Sequence, residues 1–316
     1  MKIFICPIPK RYLPDHQDFV WPPRNRESGW DFGVEQDFGR WILGHPELLT
    51  SDPVAADWGA FLPYWNRLYI NNLDADNHWG GGLEFRSDLA ATLDVAKKAH
   101  NGLRLFTVCE YDLAVLSPYL DLNGVTVFCA SRRPRVLADS GIDIPLLSAP
   151  HPVCGQGIEK RWLAYFAGHL ETDGIRLRMR EVLQEHVRPD VYCEHEQSWC
   201  DNFRDQLCAS YLALAPRGQG VQSFRFYEAM QLGTVPLYLS DVDARPFQKW
   251  IDWDECSFWL KPDADLSPRA LPTLLDELAE DKPLLLEMGR RAKTTFDGHL
   301  AYGKWCPYVL RELERL

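Results

Sequence analysis

Apolar and polar positions along this chain fall into two regimes. Before about residue 83 no period holds for long, and tryptophans (Trp21, Trp30, Trp41, Trp58, Trp65, Trp79) stand among prolines and glycines. Short elements and long loops are expected there, after a first strand over Ile3 to Cys6. From Leu83 to Ala99, Leu89, Leu93 and Ala96 recur on one helical face, and Asn101-Gly102 closes the helix. LRLFTVC (Leu103 to Cys109) and GVTVFCA (Gly124 to Ala130) read as buried strands. Apolar runs alternating with helices predict a parallel sheet covered on both faces.

Around SAPHPVCGQG (Ser148 to Gly157) prolines and glycines break the pattern, which marks a domain boundary. A second alternation follows. Strands are expected at Trp162 to Gly168, Asp190 to Glu194, Tyr211 to Ala215 and Val235 to Ser240. Helices are expected at Ile175 to Glu185, Ser198 to Ala209, Ser223 to Gln231, Pro268 to Leu278 and Pro283 to Phe296. Two α/β domains result, residues 1–155 and 156–298. A terminal helix over 299–316, with Pro307 near its start, is expected to pack back on the first domain.

Composition narrows the class. Among 316 residues nearly half are apolar and a quarter charged, and the formal net charge is -11. Diffuse attraction to nucleic acid or anionic membrane is therefore not expected. No run approaches the roughly 20 apolar residues that span a bilayer, and MKIFICPIPK is no signal peptide. The nine cysteines form no framework, so reduced thiols and a cytoplasmic location are expected. Cys193, His195, Cys200 and Cys208 lack the paired spacing of structural zinc sites, and no metal is assigned to them.

The chemistry gathers in YLALAPRGQGVQSFRFYEAMQLGTVPLYLS, which reads as strand, glycine loop, helix, turn and strand. Ligands bind beyond the carboxyl ends of strands in such units, where this loop lies. Gly218 and Gly220 permit close backbone approach, Ser223 is a good N-cap, and Phe224 opens the helix. Arg225 in the first turn and Arg217 at the loop's mouth are cations where the helix dipole disfavours them. An anion resolves this conflict, and paired guanidinium groups with helix amides suit a diphosphate. Glu228, three residues beyond Arg225, can take ribose hydroxyls; alternatively the two form an ordinary intrahelical pair. No Gly-Lys-Ser/Thr ends the loop, so it is not a Walker A.

Ser210 to Leu260 resembles the exostosin-type glycosyltransferases of family 47. Pro-Arg-Gly, Ser-x-Arg and Glu-Ala are followed in order by Gly233, Pro236, Ser240-Asp241, Pro246-Phe247 and Ile251-Asp252-Trp253. Arg161 to Leu183 also looks like the family's Phe-Ala-Gly and Ile-Arg elements. The resemblance implies two Rossmann-like domains facing a cleft (the GT-B architecture), with the donor in the C-terminal one. It implies an inverting, metal-independent transfer from a nucleotide diphosphate sugar, most commonly UDP-linked, to a glycan acceptor. Carried over, Arg217 and Arg225 bind the diphosphate and Glu228 the ribose. The enzyme would be a hexosyl- or pentosyltransferase of surface polysaccharide synthesis, in peripheral association with a glycan-assembly complex. The alternative is a non-catalytic exostosin-like partner subunit or glycan-binding protein.

Inversion needs a base for the acceptor hydroxyl. The strand ending in Cys109-Glu110-Tyr111-Asp112 offers Glu110 and Asp112, departing from the His-Asp pair found after a similar strand in the family. Asp76 and His78, in LDADNHWGGG, are second-choice bases; Asp74-x-Asp76 reads foremost as a polar turn. His151, in the linker, is either near the donor or structural.

Overall fold

The computed structural model describes residues 1–13, 33–65, 83–99, 102–111, 122–132, 141–148, 150–152, 154, 158–186, 188–195, 202–262 and 270–316. The chain divides into two compact units: residues 1–144 with 305–316, and residues 145–304. Each is built on a five-stranded sheet whose described pairings are all parallel.

In the first unit the strands run in chain order: β1 (Ile3–Ile5), β2 (Trp58–Ala60), β3 (Arg104–Tyr111), β4 (Val125–Ser131) and β5 (Gly141–Asp143). Helix α1 (Val34–Leu43) escaped the sequence reading, although Val34, Phe38 and Ile42 repeat every four residues and are buried. It shares its side of the unit with the last helix, α8 (Cys306–Leu313). Phe38 meets Phe106 of β3 edge-on at 5.9 Å, and Trp305 Nε1 donates to Asp37 at 2.8 Å. Helix α2 (Leu83–Ala99) has the bounds the sequence predicted, and Leu89, Leu93 and Ala96 enter a core with Leu105, Val125 and Val127. Trp58 and Trp65 are core residues, Trp65 donating to the buried Thr107 hydroxyl at 2.7 Å. Trp21, Trp30 and Trp79 lie outside the described residues.

The second unit holds β6 (Trp162–Gly168), α3 (Gly174–Glu185), β7 (Val191–His195), α4 (Phe203–Cys208), β8 (Ser210–Pro216) and α5 (Phe224–Gln231). Then follow β9 (Val235–Leu239), β10 (Phe258–Leu260), α6 (Ala270–Ala279) and α7 (Lys282–Thr295). Apolar runs make these strands buried on both faces. Leu163 and Phe166 of β6 and Leu212 and Leu214 of β8 pack with α3, α6 and α7. Tyr165, Ala167 and Ala213 pack instead with Phe203 and Leu207 of α4 and with Ala229 of α5. The strand order is β10-β9-β8-β6-β7. The chain leaves β6 for β7 on one side and returns to β8 on the other. That reversal is a topological switch point, where open α/β sheets leave a crevice at the strands' carboxyl ends.

Gly233 holds the turn between α5 and β9 with φ of 72°, the left-handed region open to glycine. A Cβ on Gly289 of α7 would lie 2.4 Å from the Gly233 carbonyl oxygen, so two glycines let helix and turn touch.

Candidate functional site

The carboxyl ends of β6 and β8 meet the start of α5 at the switch point. Ser223 occupies the N-cap position of α5, yet its hydroxyl makes no capping bond, contrary to the expectation from its residue type. The side chain is buried at 2% exposure and Oγ has no hydrogen-bond partner. A buried hydroxyl left so is costly unless something else supplies the bond.

Three arginines surround this helix start. Arg225 donates through Nε to the Ala167 carbonyl of β6 at 2.7 Å and pairs through Nη1 with Glu228. Its guanidinium carbon lies 4.1 Å from the ring centroid of Phe203. The intrahelical pair weighed from the sequence therefore does form, and it shares Arg225 with a strand end and an aromatic face. Arg217 is held by two carboxylates, Asp173 at 3.0 Å from Nη1 and Asp241 at 2.8 Å from Nε. In this structure internal carboxylates thus answer both cations flagged in the sequence.

Arg176 of α3 is the third, and the electrostatic reading of the glycine loop missed it. Nε donates to the Arg217 carbonyl at 3.0 Å and Nη1 to the His169 carbonyl at 3.0 Å. Burial, and then the charge of Arg225, push its pKa down to about 10, with Asp173 opposing. Nothing local in the sequence announces this contact, because α3 lies 40 residues upstream of the loop it supports.

Glu228 is 1% exposed. Burial works against its ionisation, but Arg225 and His151 outweigh it and bring the carboxyl down to about 2. His151 Nε2 lies 3.3 Å from Glu228 Oε1, which places that linker histidine at the site. Gly218 and Gly220 lie in the loop as expected. Gly218 N donates to the Gln222 carbonyl at 3.1 Å, and the Ser240 and Tyr238 hydroxyls both hold the Val221 carbonyl. Phe224 is half-buried at the first position of α5.

The cysteines require a correction. Cys154 and Cys208 are joined in a disulfide, with Cα atoms 6.0 Å apart, where the sequence reading took all thiols as reduced. Spacing could not reveal the pair, since 54 residues separate them. The cytoplasmic expectation loses the part of its support that rested on those thiols.

In the first unit, Glu110 lies at the end of β3 and is buried, its backbone N–H donating to Glu35 Oε1 at 2.8 Å. Glu35 also lines a cavity of about 160 Å³ with Ile5, Cys6, Arg40, Leu62 and Val108. Sequence reasoning missed Glu35 because α1 was not recognised. Asp112, Asp74, Asp76 and His78 lie outside the described residues. Among the described residues no three metal-ligating side chains come together, and no helix is long and apolar enough to cross a membrane.

Comparison with known proteins fits this site. The Exostosin GT47 domain model matches residues 124–276, just under half of the chain and all of the arginine-bearing loop. This region is similar to the exostosin GT47 domain. Exostosin-1 of Drosophila melanogaster is 32% identical over 121 residues, covering 32% of this chain and 16% of that protein. Exostosin-1b of Danio rerio is 33% identical over 144 residues, covering 36% and 19%. The Caenorhabditis elegans Exostosin-1 homolog is 26% identical over 163 residues, covering 45% and 41%. The chain thus spans less than a fifth of the length of the fly and fish relatives. Among solved structures, Anabaena HepE in complex with UDP aligns over 88% of this chain and 82% of its own, with TM-score 0.44 and 10% identity. TarM aligns over 68% and 51%, with TM-score 0.40 and 10% identity.

Proposed function

We propose that the second unit binds a nucleotide diphosphate sugar at the β6/β8 switch point, and that the chain is an inverting, metal-independent glycosyltransferase of the GT-B kind. The observation that carries the donor site is Ser223, whose buried, unpartnered hydroxyl stands at a helix N-terminus beside Arg176, Arg217 and Arg225. Helix-start amides, a buried hydroxyl and guanidinium groups together form the kind of surroundings that bind an anion. A diphosphate is such an anion, and its negative charge grows as the bond to the sugar breaks. Preorganised guanidinium groups and helix amides stabilise a leaving group of that kind. Glu228, fixed as a carboxylate, is the acceptor for ribose hydroxyls once a ligand competes for its present partners. UDP is the first nucleotide to test, and a glycan hydroxyl is the acceptor.

The base belongs to the first unit, at Glu110 or Asp112. The role extends to surface polysaccharide synthesis, in peripheral association with a glycan-assembly complex in the cytoplasm. In a reducing compartment a disulfide is a transient, redox-sensing one.

Calorimetric titration of UDP into wild type and Arg225→Ala tests the donor site. Binding weakened at least about tenfold in the variant is expected. Absence of nucleotide binding at millimolar concentration overturns the assignment. Metal independence is checked by unchanged transfer in excess chelator.

One observation favours a second reading, a non-catalytic partner subunit: Asp173 and Asp241 already occupy the Arg217 fork. Slow hydrolysis of nucleotide sugars by the isolated chain separates the two, because a partner subunit shows none.

A further inference from the structure

The Cys154–Cys208 disulfide joins two segments that both touch the Arg225–Glu228 pair. Three residues before Cys154, His151 lies 3.3 Å from Glu228, and its backbone N–H donates to Gln231 of α5 at 2.8 Å. Cys208 ends α4, and Phe203 at the start of that helix lies against the Arg225 guanidinium. The His151 and Phe203 ring centroids are 5.9 Å apart. Cys154 Sγ also lies 3.4 Å from the carbonyl of Leu232, the C-cap of α5. One covalent link therefore clamps the two aromatic side chains that flank the ion pair. Helix α4 has only six residues, so it depends on such tertiary restraint more than a long helix does.

We infer that this disulfide is a redox-sensitive positioning device for the donor site. Oxidised, it holds His151 against Glu228 and Phe203 against Arg225 in the arrangement that binds a nucleoside diphosphate; reduced, it releases both and the affinity falls. The inference rests on the donor-site reading and adds its regulation. A dithiol performs the change by exchange. Its thiolate attacks one cysteine sulfur and breaks the Sγ–Sγ bond, then the second thiol closes the reductant's own disulfide. Two electrons and two protons pass to Cys154 and Cys208, which leave as thiols.

The other described cysteines are poor competitors for this chemistry. Burial pushes the Cys6 thiol up to about 12 and those of Cys193 and Cys256 up to about 11, so they stay protonated. Cys109, Cys129 and Cys306 are buried. Cys154 is half-buried.

The test titrates UDP into the oxidised chain, the same chain after dithiothreitol, the reoxidised chain and Cys154→Ser, with far-ultraviolet circular dichroism on each. Reduction is expected to weaken UDP binding roughly tenfold with the helical signal kept, and reoxidation to restore it. Cys154→Ser is expected to bind weakly whether or not reductant is present. Equal affinity in all four samples overturns the inference while leaving the donor site standing; no binding in any sample overturns both. Should the reduced chain unfold, His151→Gln with the bond intact decides: affinity reduced about fivefold supports the device, and unchanged affinity overturns it.

Discussion

His151 Nε2 lies 3.3 Å from Glu228 Oε1 although 77 residues separate the two in sequence. With Arg225 on the other carboxylate oxygen, this contact fixes the charge of a residue that is 1% exposed. Burial alone would raise the Glu228 pKa; Arg225 and His151 instead hold it at about 2, below its ordinary 4.5. A depressed carboxyl stabilises the fold fully above its unfolded pKa and loses that contribution as pH falls through its folded one. The window is therefore from about pH 4.5 down to about 2. In urea unfolding, wild type is expected to exceed Glu228→Gln at pH 7, with the gap closing across that window. A gap independent of pH contradicts the assignment.

Ser223→Ala separates binding from folding. The hydroxyl has no partner in the protein, so its removal leaves stability unchanged or slightly raised. If it serves a diphosphate, UDP affinity drops by about 1 kcal/mol, roughly fivefold. Thermal unfolding and calorimetry on one preparation check both halves. Lost stability with unchanged affinity means that Ser223 is purely structural.

Asp241 pairs with Arg217, and on the proposed reading a diphosphate would have to displace it. Its side chain is 41% exposed against 15% for Arg217, so it can swing away cheaply. Asp241→Asn is expected to tighten UDP binding about threefold and to change stability by less than about 1 kcal/mol. Weaker binding in the variant would show that Asp241 serves the ligand directly.

Gly289→Ala tests the scaffold behind the site. The new Cβ would meet the Gly233 carbonyl oxygen at 2.4 Å, and both are main-chain neighbours with little room to yield. Overpacking of this kind costs about 1–3 kcal/mol. Denaturant unfolding is expected to show that loss; Gly298→Ala, where nothing lies within 4 Å, serves as control.

The second unit was the more legible in sequence, for physical reasons. Tyr211 to Ala215 and Trp162 to Gly168 are apolar runs too short for helices and bounded by turn residues, and both became central strands. Arg217, Arg225 and Glu228 were found because cations at a helix start contradict the dipole. Of their partners only His151 was singled out, as near the donor or structural; Arg176, Asp173 and Phe203 arrive from other elements through packing. In the first unit, α1 carries a sound apolar stripe, yet the prolines and tryptophans around it hid the period. Missing that helix meant missing Glu35, the partner of Glu110 at the end of β3.

A crystal structure of the chain grown with UDP tests the central claim most directly. The diphosphate is expected at the N-terminus of α5, with a phosphate oxygen accepting from the Ser223 hydroxyl and others from Arg217 and Arg225. A nucleotide bound elsewhere, with Ser223 still unpartnered and Asp241 still on Arg217, would contradict it.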